Sequence, residues 1–302
     1  MAEIVDDASI PEGVDSDESI DGAVLASDDS VEHKAPDLSA DSPALAIFSR
    51  VHPTGYVAAG ALIAALIGHF AFDTERLVGN MAWWHWVGLA LFVALSVMPD
   101  QLNMLRRGIE SIADLMLRLV WVLGWAVFIV QLINVITRYL NPLFETDILI
   151  GQLTSASWQI FALLALLGLP YGVKAAVNPR IDFWWAEWSD RKKAWLDFVM
   201  HTFFFLPFLF SITLILRRFA ATALGQRRGD GSWPSGWRVW ETWEDSPDAD
   251  QLPVGPIKVF IFIGFVLFAF QIGAEIIKTG FVLMGRRDYG QIASGDEFQR
   301  IE

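Results

Sequence analysis

Two histidines beside the first apolar stretches have side chains that could ligate a cofactor. His69 comes near the end of the first stretch and His85 near the start of the second, so we expect the two imidazoles at similar depth. Imidazole nitrogens are common ligands of haem iron and of other metals. The pair supports one hypothesis, a membrane haem or redox protein. Spacing across a loop is weak evidence for a ligand pair, however, and histidines at a membrane interface are common without any ligand, which is the interpretation we favour.

Other patterns that would indicate catalysis are missing from the sequence. It has no cysteine, which excludes a disulfide framework and thiol chemistry. It has no glycine-rich phosphate loop, serine elbow or pair of metal-binding carboxylates, and no basic patch that favours nucleic acid. We predict no enzyme and no cofactor. The polar residues in the middle of apolar stretches suit hydrogen bonds between helices rather than an ion path: Gln131, Asn134, Gln159 and Gln271.

Six apolar stretches organise the chain and predict its fold. More than half of the 302 residues are hydrophobic, which is typical of an integral membrane protein. Each stretch is close to the roughly 20 residues that a membrane-spanning helix needs, and the second is the shortest. The sequence therefore predicts an all-α membrane protein with about six transmembrane helices. The stretches cover approximately residues 54–72, 82–98, 117–137, 153–173, 195–216 and 259–277.

Two segments beside the spans have the composition of helices that lie in the headgroup layer. Residues 101–119 read as amphipathic and merge into the third span. Residues 181–195 mix tryptophans with charges, which favours a flat helix whose lysines face anionic headgroups. In the first span, Gly60, Ala64 and Gly68 form a stripe of small residues on which another helix could pack closely.

The N-terminal 45 residues differ from the rest of the chain. They contain thirteen acidic residues and one lysine, and they have no aromatic residue. Such a segment buries too little apolar surface to repay its ordering entropy, so we expect a disordered acidic tail. It lacks the basic start and apolar core of a cleavable signal peptide. The expected organisation is a tail (1–45), a two-helix membrane extension (46–115), a four-helix domain (116–285) and a C-terminal tail (286–302).

The distribution of basic residues predicts the orientation. Short loops on one side contain most of the lysines and arginines, including the clusters at 106–107, 174–180 and 191–193. The positive-inside rule then places both termini in the cytoplasm. A long loop on the opposite side also holds arginines, but long loops have less influence on orientation and this one carries many acids.

The stretch from Trp233 to Lys278 is the most distinctive part of the chain. Its first half is an acidic, proline-containing loop in which four tryptophans (residues 233, 237, 240 and 243) recur every three or four residues. Its second half is the sixth apolar stretch. Acids and prolines are excluded from hydrocarbon, so the loop lies at or beyond the membrane surface, and Lys258 marks the interface.

Two sequence blocks resemble one transporter family. The string WETWEDSPDADQLPVGPIKVFIFIGFVLFAFQIGAEIIK and the string LLALLGLPYGVKAAVNPRIDFWWAEWSDRKKAWLD are similar to the recurring blocks of the small permease subunit of tripartite ATP-independent periplasmic (TRAP) transporters, mannitol/chloroaromatic-compound type. The resemblance covers approximately Leu119 to Gly280, including the order and spacing of the blocks. It implies the usual four-helix unit, here with a two-helix N-terminal extension.

The resemblance also implies a function and partners. A small subunit of this kind is a non-catalytic scaffold in the bacterial inner membrane. It braces a large permease subunit, which imports organic acids delivered by a periplasmic solute-binding protein and is driven by an ion gradient. Residues matching the family, or expected at its contact surface, are Trp158, Tyr171, Lys174, Arg180, Asp182, Trp243, Asp248, Leu252, Pro253 and Lys258.

Two alternatives remain open at this stage. Arg180 and Asp182 could form a simple interfacial ion pair, or they could orient the flat helix against a partner. The chain as a whole could also be a membrane anchor for an unrelated complex. Membrane lipid is an expected partner in every case.

Overall fold

The described part of the chain is helical. The structure, a computed structural model, describes residues 51–70, 83–144, 150–176, 188–248, 251–286 and 288–290, and no strand occurs among them. The acidic tail and most of the C-terminal tail lie outside these ranges. The helices are α1 (Pro53–Phe70), α2 (Trp83–Ser96), α3 (Pro99–Phe144), α4 (Ile150–Lys174), α5 (Asp190–Val199), α6 (Leu206–Ala223), the single turn α7 (Val239–Thr242) and α8 (Gly255–Leu283).

Among the described residues, four helical stretches are long and apolar enough to cross a membrane. They are α3, α4, α8 and the continuous stretch Asp190–Ala223, and they indicate a multi-pass membrane protein. The prediction of an all-α fold is confirmed for the described residues. Six spans stay a prediction: the other two apolar helices, α1 and α2, are shorter, with 18 and 14 residues. At 1.5 Å per residue, α2 rises only about 21 Å, against a hydrocarbon core of about 30 Å.

Two of the long stretches extend past their apolar parts. Helix α3 has 46 residues without interruption, so the predicted amphipathic segment and the third span are one helix. Helix α5 leads through a π-helical segment, Met200–Phe205, directly into α6. Pro207 explains the wider turn, because proline has no N–H to donate to the carbonyl four residues earlier. Residues 190–195, expected to lie flat, are instead the first turns of this long helix.

The long helices pack antiparallel in pairs. In the α3–α4 pair, the Asn134 side chain donates to Thr154 at one end (3.3 Å), and Lys174 pairs with Asp114 at the other. Between the α5–α6 stretch and α8, the buried core contains Phe198, Leu209, Ile272 and Ile276. We call the end that contains His52, Asp100, Lys174 and Gly280 the His52 end. The opposite end, which contains residues 224–254, is the loop end.

Helices α1 and α2 form a hairpin that is buried only at the His52 end. In α1 the buried residues are confined to the first turns, at Thr54, Gly55 and Ala58, and in α2 the buried residue is Ser96. Beyond these positions every described side chain of the hairpin is at least partly exposed. Gly60 and Ala64 of the predicted small-residue stripe are exposed, and a Cβ atom on Gly60 would meet no atom within 4 Å. Gly60 and Ala64 therefore face open space rather than a closely packed helix.

Candidate functional site

Glu244 fastens the two helix ends that meet at the loop end. Its N–H donates to the carbonyl of Ala223, the last residue of α6 (2.8 Å). Its carbonyl accepts from Val254 (3.0 Å) and Gly255 (2.9 Å), which begin α8. Its carboxylate pairs with Lys258 at 2.6 Å. One loop residue therefore joins the end of one long helix to the start of the next.

The residues around this junction leave no room for larger side chains. A Cβ atom on Gly255 would lie 2.8 Å from the Cβ of Trp243 and 2.9 Å from the Ala223 carbonyl oxygen. The ammonium of Lys258 also lies 4.8 Å from the centre of the Phe219 ring, a cation–π contact. The family resemblance implied Trp243 and Lys258 as partner contacts. In the structure, both residues also make contacts within this chain.

A second set of bonds attaches the loop to α4. The Ser155 hydroxyl, which is fully buried, accepts from the N–H of Leu252 at 2.8 Å. The Gln159 amide donates to the carbonyls of Leu252 (3.4 Å) and Pro253 (3.2 Å). Leu252 and Pro253 are thereby held over α4. Gln159 was expected to bond a neighbouring helix, and it bonds the loop instead, because the Leu252 and Pro253 carbonyls lie within reach of its amide.

The tryptophan-rich part of the loop folds back on the end of α6. Gly225 takes a left-handed conformation (φ +104°) that lets the chain reverse, and the Leu224 carbonyl accepts from Trp237 Nε1 (2.9 Å) and the Thr242 hydroxyl (3.0 Å). The indole of Trp233 packs against Trp237 with ring centroids 4.6 Å apart. The loop is therefore an ordered platform, from which Trp240 and Asp248 project into the surroundings.

Lys174 belongs to a polar cluster at the His52 end. Its ammonium donates to the Asp114 carboxylate (2.5 Å) and to the Glu110 carbonyl (3.3 Å), both on α3. Arg106 pairs with the Glu110 carboxylate at 2.7 Å, with both side chains largely buried. Lys174 therefore has partners within this chain, and its bonds to α3 fix the register of α3 against α4.

Helix α8 also has buried polar side chains near this polar cluster. Gln271 donates to Glu275 (3.3 Å), and Lys278 approaches the other oxygen of that carboxylate at 3.5 Å. Gln271 and Glu275 are both buried. Gln271 Nε2 and the Glu275 carboxylate therefore have partners on α8 itself, whereas Gln271 Oε1 is buried without a hydrogen-bond partner among the described residues.

His52 joins the hairpin to the rest of the molecule. It is fully buried; its Nε2 donates to the Ile277 carbonyl (2.9 Å), its Nδ1 accepts from the Thr54 hydroxyl (2.7 Å), and its N–H donates to the Ser96 carbonyl (3.0 Å). Burial lowers the pKa of His52 from its usual 6.5 to about 4, with the Ile277 bond opposing that shift. A Cβ atom on Gly280 would overlap the imidazole, so only glycine permits this contact.

An apolar cluster and one hydrogen bond complete this junction. Leu102, Ile277 and Phe281 form a buried cluster, and the His52 ring meets Phe281 edge-on at 4.6 Å. Tyr289 donates to the Asp100 carboxylate at 2.5 Å, and this bond raises the pKa of the tyrosine. The N-terminal part of α3, the end of α8 and the hairpin thus meet at one place.

Several predicted residues take no part in either cluster. Trp158 is exposed on α4 and Tyr171 is half-buried near its end, while Asp248 is exposed on the platform. Arg180 and Asp182 lie outside the described residues, as do the side chains of His69 and His85. Among the residues that the structure describes, no three His, Asp or Glu side chains come together as a metal site would require.

Sequence reasoning missed His52, Gly280, Ser155 and Glu244. Each acts through a partner that is distant in sequence: the His52 imidazole bonds a carbonyl 225 residues away, and the Ser155 hydroxyl bonds an amide 97 residues away. The position of His52, directly before an apolar stretch, was a weak sequence signal for its contact with α8.

Comparison with known proteins adds no relative, since no family model, curated protein or solved structure matches this chain. The contacts at the two ends are therefore interpreted from the structure of this chain alone.

Proposed function

We propose that this chain is the small, non-catalytic membrane subunit of a TRAP-type transporter and braces a large permease subunit in the bilayer. The observation that supports this most directly concerns the block from Trp240 to Lys278. Its described polar and small residues fasten a loop platform to α4, α6 and α8. A sequence block devoted to holding a rigid outer surface suits a scaffold.

The polar clusters support the same proposal. Lys174, Glu110 and Glu275 are engaged with neighbouring groups at the His52 end, and Ser155 and Gln159 are engaged at the loop end. A protein that carries ions by itself usually has charged groups or broken helices near the middle of the bilayer. In this chain, Asn134 and Lys174 instead join α3 to α4, and Ser155 and Gln159 join the loop to α4.

An aromatic face on α3 is our candidate contact for the large subunit. Trp121, Trp125 and Phe128 are each more than half exposed, and their rings stack edge-on at 6.0 Å. Gly124 faces Leu164, which is near the middle of α4. Trp125, the next residue, therefore lies near the middle of the α3–α4 pair along its length. Tryptophan prefers the membrane interface to the hydrocarbon centre, so an exposed tryptophan at this depth favours contact with protein.

The test is a pull-down of the tagged full chain from its native membrane, with partners identified by mass spectrometry. We expect a large multi-spanning permease in near-equal amount. Trp125→Leu should reduce its recovery at least fivefold, whereas the matched control Phe161→Leu, on an exposed aromatic of α4, should not. Recovery of the chain alone, or with redox enzymes, would contradict the proposal. A Soret absorbance band in the purified chain would support the haem alternative instead.

Transport provides a second readout. Asp248→Ala combined with Pro253→Ala should abolish uptake by the assembled system while the chain still inserts in the membrane. Asp248 alone tests the exposed surface, and Pro253 alone tests the position of the loop over α4. Normal uptake by a correctly inserted double variant would show that the platform is not a contact surface.

A further inference from the structure

Four exposed side chains lie close together in sequence where α5 begins. Trp188 comes two residues before the helix, and Arg191, Lys192 and Trp195, at spacings of one and three residues, share one side of its first turns. Trp188 is 40% exposed and Trp195 is 58% exposed, and both cations are exposed as well. Ala194 and Phe198 of the same helix are buried against the bundle. We call the four residues the basic–aromatic face.

The cations of this face have no ion-pair partner within the described part of the chain. The described ion pairs involve arginines or lysines on other elements, and neither Arg191 nor Lys192 is among them. Helix α5 also contains Lys193, together with the acids Asp190 and Asp197, so its net charge is positive. Two free cations between two tryptophans leave an anion-binding surface uncovered.

The depth of the face follows from the packing below it. Phe198 lies in the core cluster with Ile276 of α8, two residues before Lys278. The continuous stretch Asp190–Ala223 has 34 residues and rises about 51 Å, which exceeds the hydrocarbon core by about 20 Å. Its first turns therefore extend into the headgroup layer, where indole rings and basic side chains are favoured.

We propose that the basic–aromatic face binds the phosphate headgroups of anionic phospholipids and anchors α5 at that side of the bilayer. The Arg191 guanidinium offers a planar fork that fits phosphate oxygens, Lys192 adds a second cation, and the indoles lie at the level of the lipid carbonyls. The inference is independent of the transporter proposal, because it concerns how this helix is held in the membrane.

The experiment measures lipid retained by the full chain purified in a neutral detergent. Phosphatidylglycerol and phosphatidylcholine are titrated separately, and native mass spectrometry counts the bound lipid. We expect the wild-type chain to retain phosphatidylglycerol preferentially. The double variant Arg191→Gln/Lys192→Gln should lose roughly tenfold in apparent affinity for the anionic lipid, with phosphatidylcholine binding unchanged.

A matched control lies at the other end of the same helical stretch. Arg217 and Arg218 are also adjacent, exposed and without a described ion pair, but no tryptophan lies three or four residues from either. Arg217→Gln/Arg218→Gln should keep phosphatidylglycerol affinity within about twofold of wild type. If the two double variants lost phosphatidylglycerol affinity equally, the effect would come from the net charge of the protein rather than from this face, and the proposal would be overturned. Unchanged binding in the Arg191/Lys192 variant would overturn it too, as would loss of an acidic protein partner with lipid binding intact.

Discussion

The hairpin of α1 and α2 and the bundle of four long helical stretches are attached in opposite ways. The bundle has buried contacts along its length and is fastened at both ends, by the platform and by the Lys174 cluster. The hairpin is held at the His52 end, and its other described side chains remain at least partly exposed. One unit is fixed by many modest contacts, and the other depends on a single junction.

This difference predicts how each unit responds to mutation. Loss of one contact among many lowers the stability of the bundle slightly, because the remaining contacts keep the helices in register. At the hairpin junction, one residue makes all the bonds: the His52 imidazole bonds α8 and the first turn of α1, and the His52 backbone N–H bonds the end of α2. The hairpin is therefore expected to open locally well before the bundle unfolds.

The largest effect is expected from Gly280→Val. A side chain at this position would occupy the space of the His52 ring and force the hairpin away from α8. Loss of two buried hydrogen bonds and of the ring contact should destabilise the junction by about 2–4 kcal/mol. Hydrogen exchange in residues 52–58 should accelerate by one to three orders of magnitude, while exchange in the core of α4 should change little.

Gly60→Val is the matched control for this comparison. It makes the same glycine-to-valine change in an apolar helix, so the change in helix propensity is similar, but its side chain enters open space. Exchange at residues 52–58 should stay near the wild-type rate. If the two variants behave alike, the junction is not the only attachment of the hairpin.

Acid should weaken the same junction without any mutation. The pKa of His52 is lowered to about 4 in the folded chain, against 6.5 in the open state. The open state therefore binds a proton more readily, and stability that is fully present above pH 6.5 is lost as the pH falls toward 4. The full loss is about 3 kcal/mol, at 1.36 kcal/mol for each pH unit.

The measurement is hydrogen exchange of residues 52–58 at pH 7 and pH 4.5, corrected for the intrinsic effect of pH on exchange. The groups that contact His52 are a hydroxyl, carbonyl oxygens and the Phe281 ring, which do not titrate in this range. His52→Gln keeps an amide that can bond the Ile277 carbonyl and removes the titration. An unchanged pH dependence in this variant would assign the effect to another group.

The sequence predicted the helices far better than the contacts between them. The fourth and sixth apolar stretches agree with α4 and α8 to within several residues, because a long apolar run in a membrane protein permits little besides a helix. The merging of residues 101–119 into the third span was also predicted. The second stretch was expected to be the least certain span, and it is the shorter helix α2.

The candidate sites were predicted less well, for a physical reason. Lys174, Trp243 and Lys258 were selected as partner contacts, which stays a prediction. Within the chain, Lys174 pairs with Asp114, Lys258 pairs with Glu244 and Trp243 packs beside Gly255, and only the packed structure reveals these contacts. Composition cannot distinguish a polar residue that meets another subunit from one that meets Asp114 or Glu244.

The smallest effect is expected at the loop end, where several bonds share the attachment of the platform. Ser155→Ala removes the acceptor of the Leu252 N–H, which should cost about 1 kcal/mol and accelerate exchange of that amide roughly fivefold. Ser157→Ala is the control, because that hydroxyl bonds the Leu153 carbonyl of its own helix and holds no loop residue. A loss in Ser155→Ala as large as that of Gly280→Val would mean that the platform also depends on one junction, and the contrast between the two regions would disappear. A small loss confined to residues 251–254, with Gln159 still holding Pro253, would show that attachment through several contacts is what keeps the platform rigid.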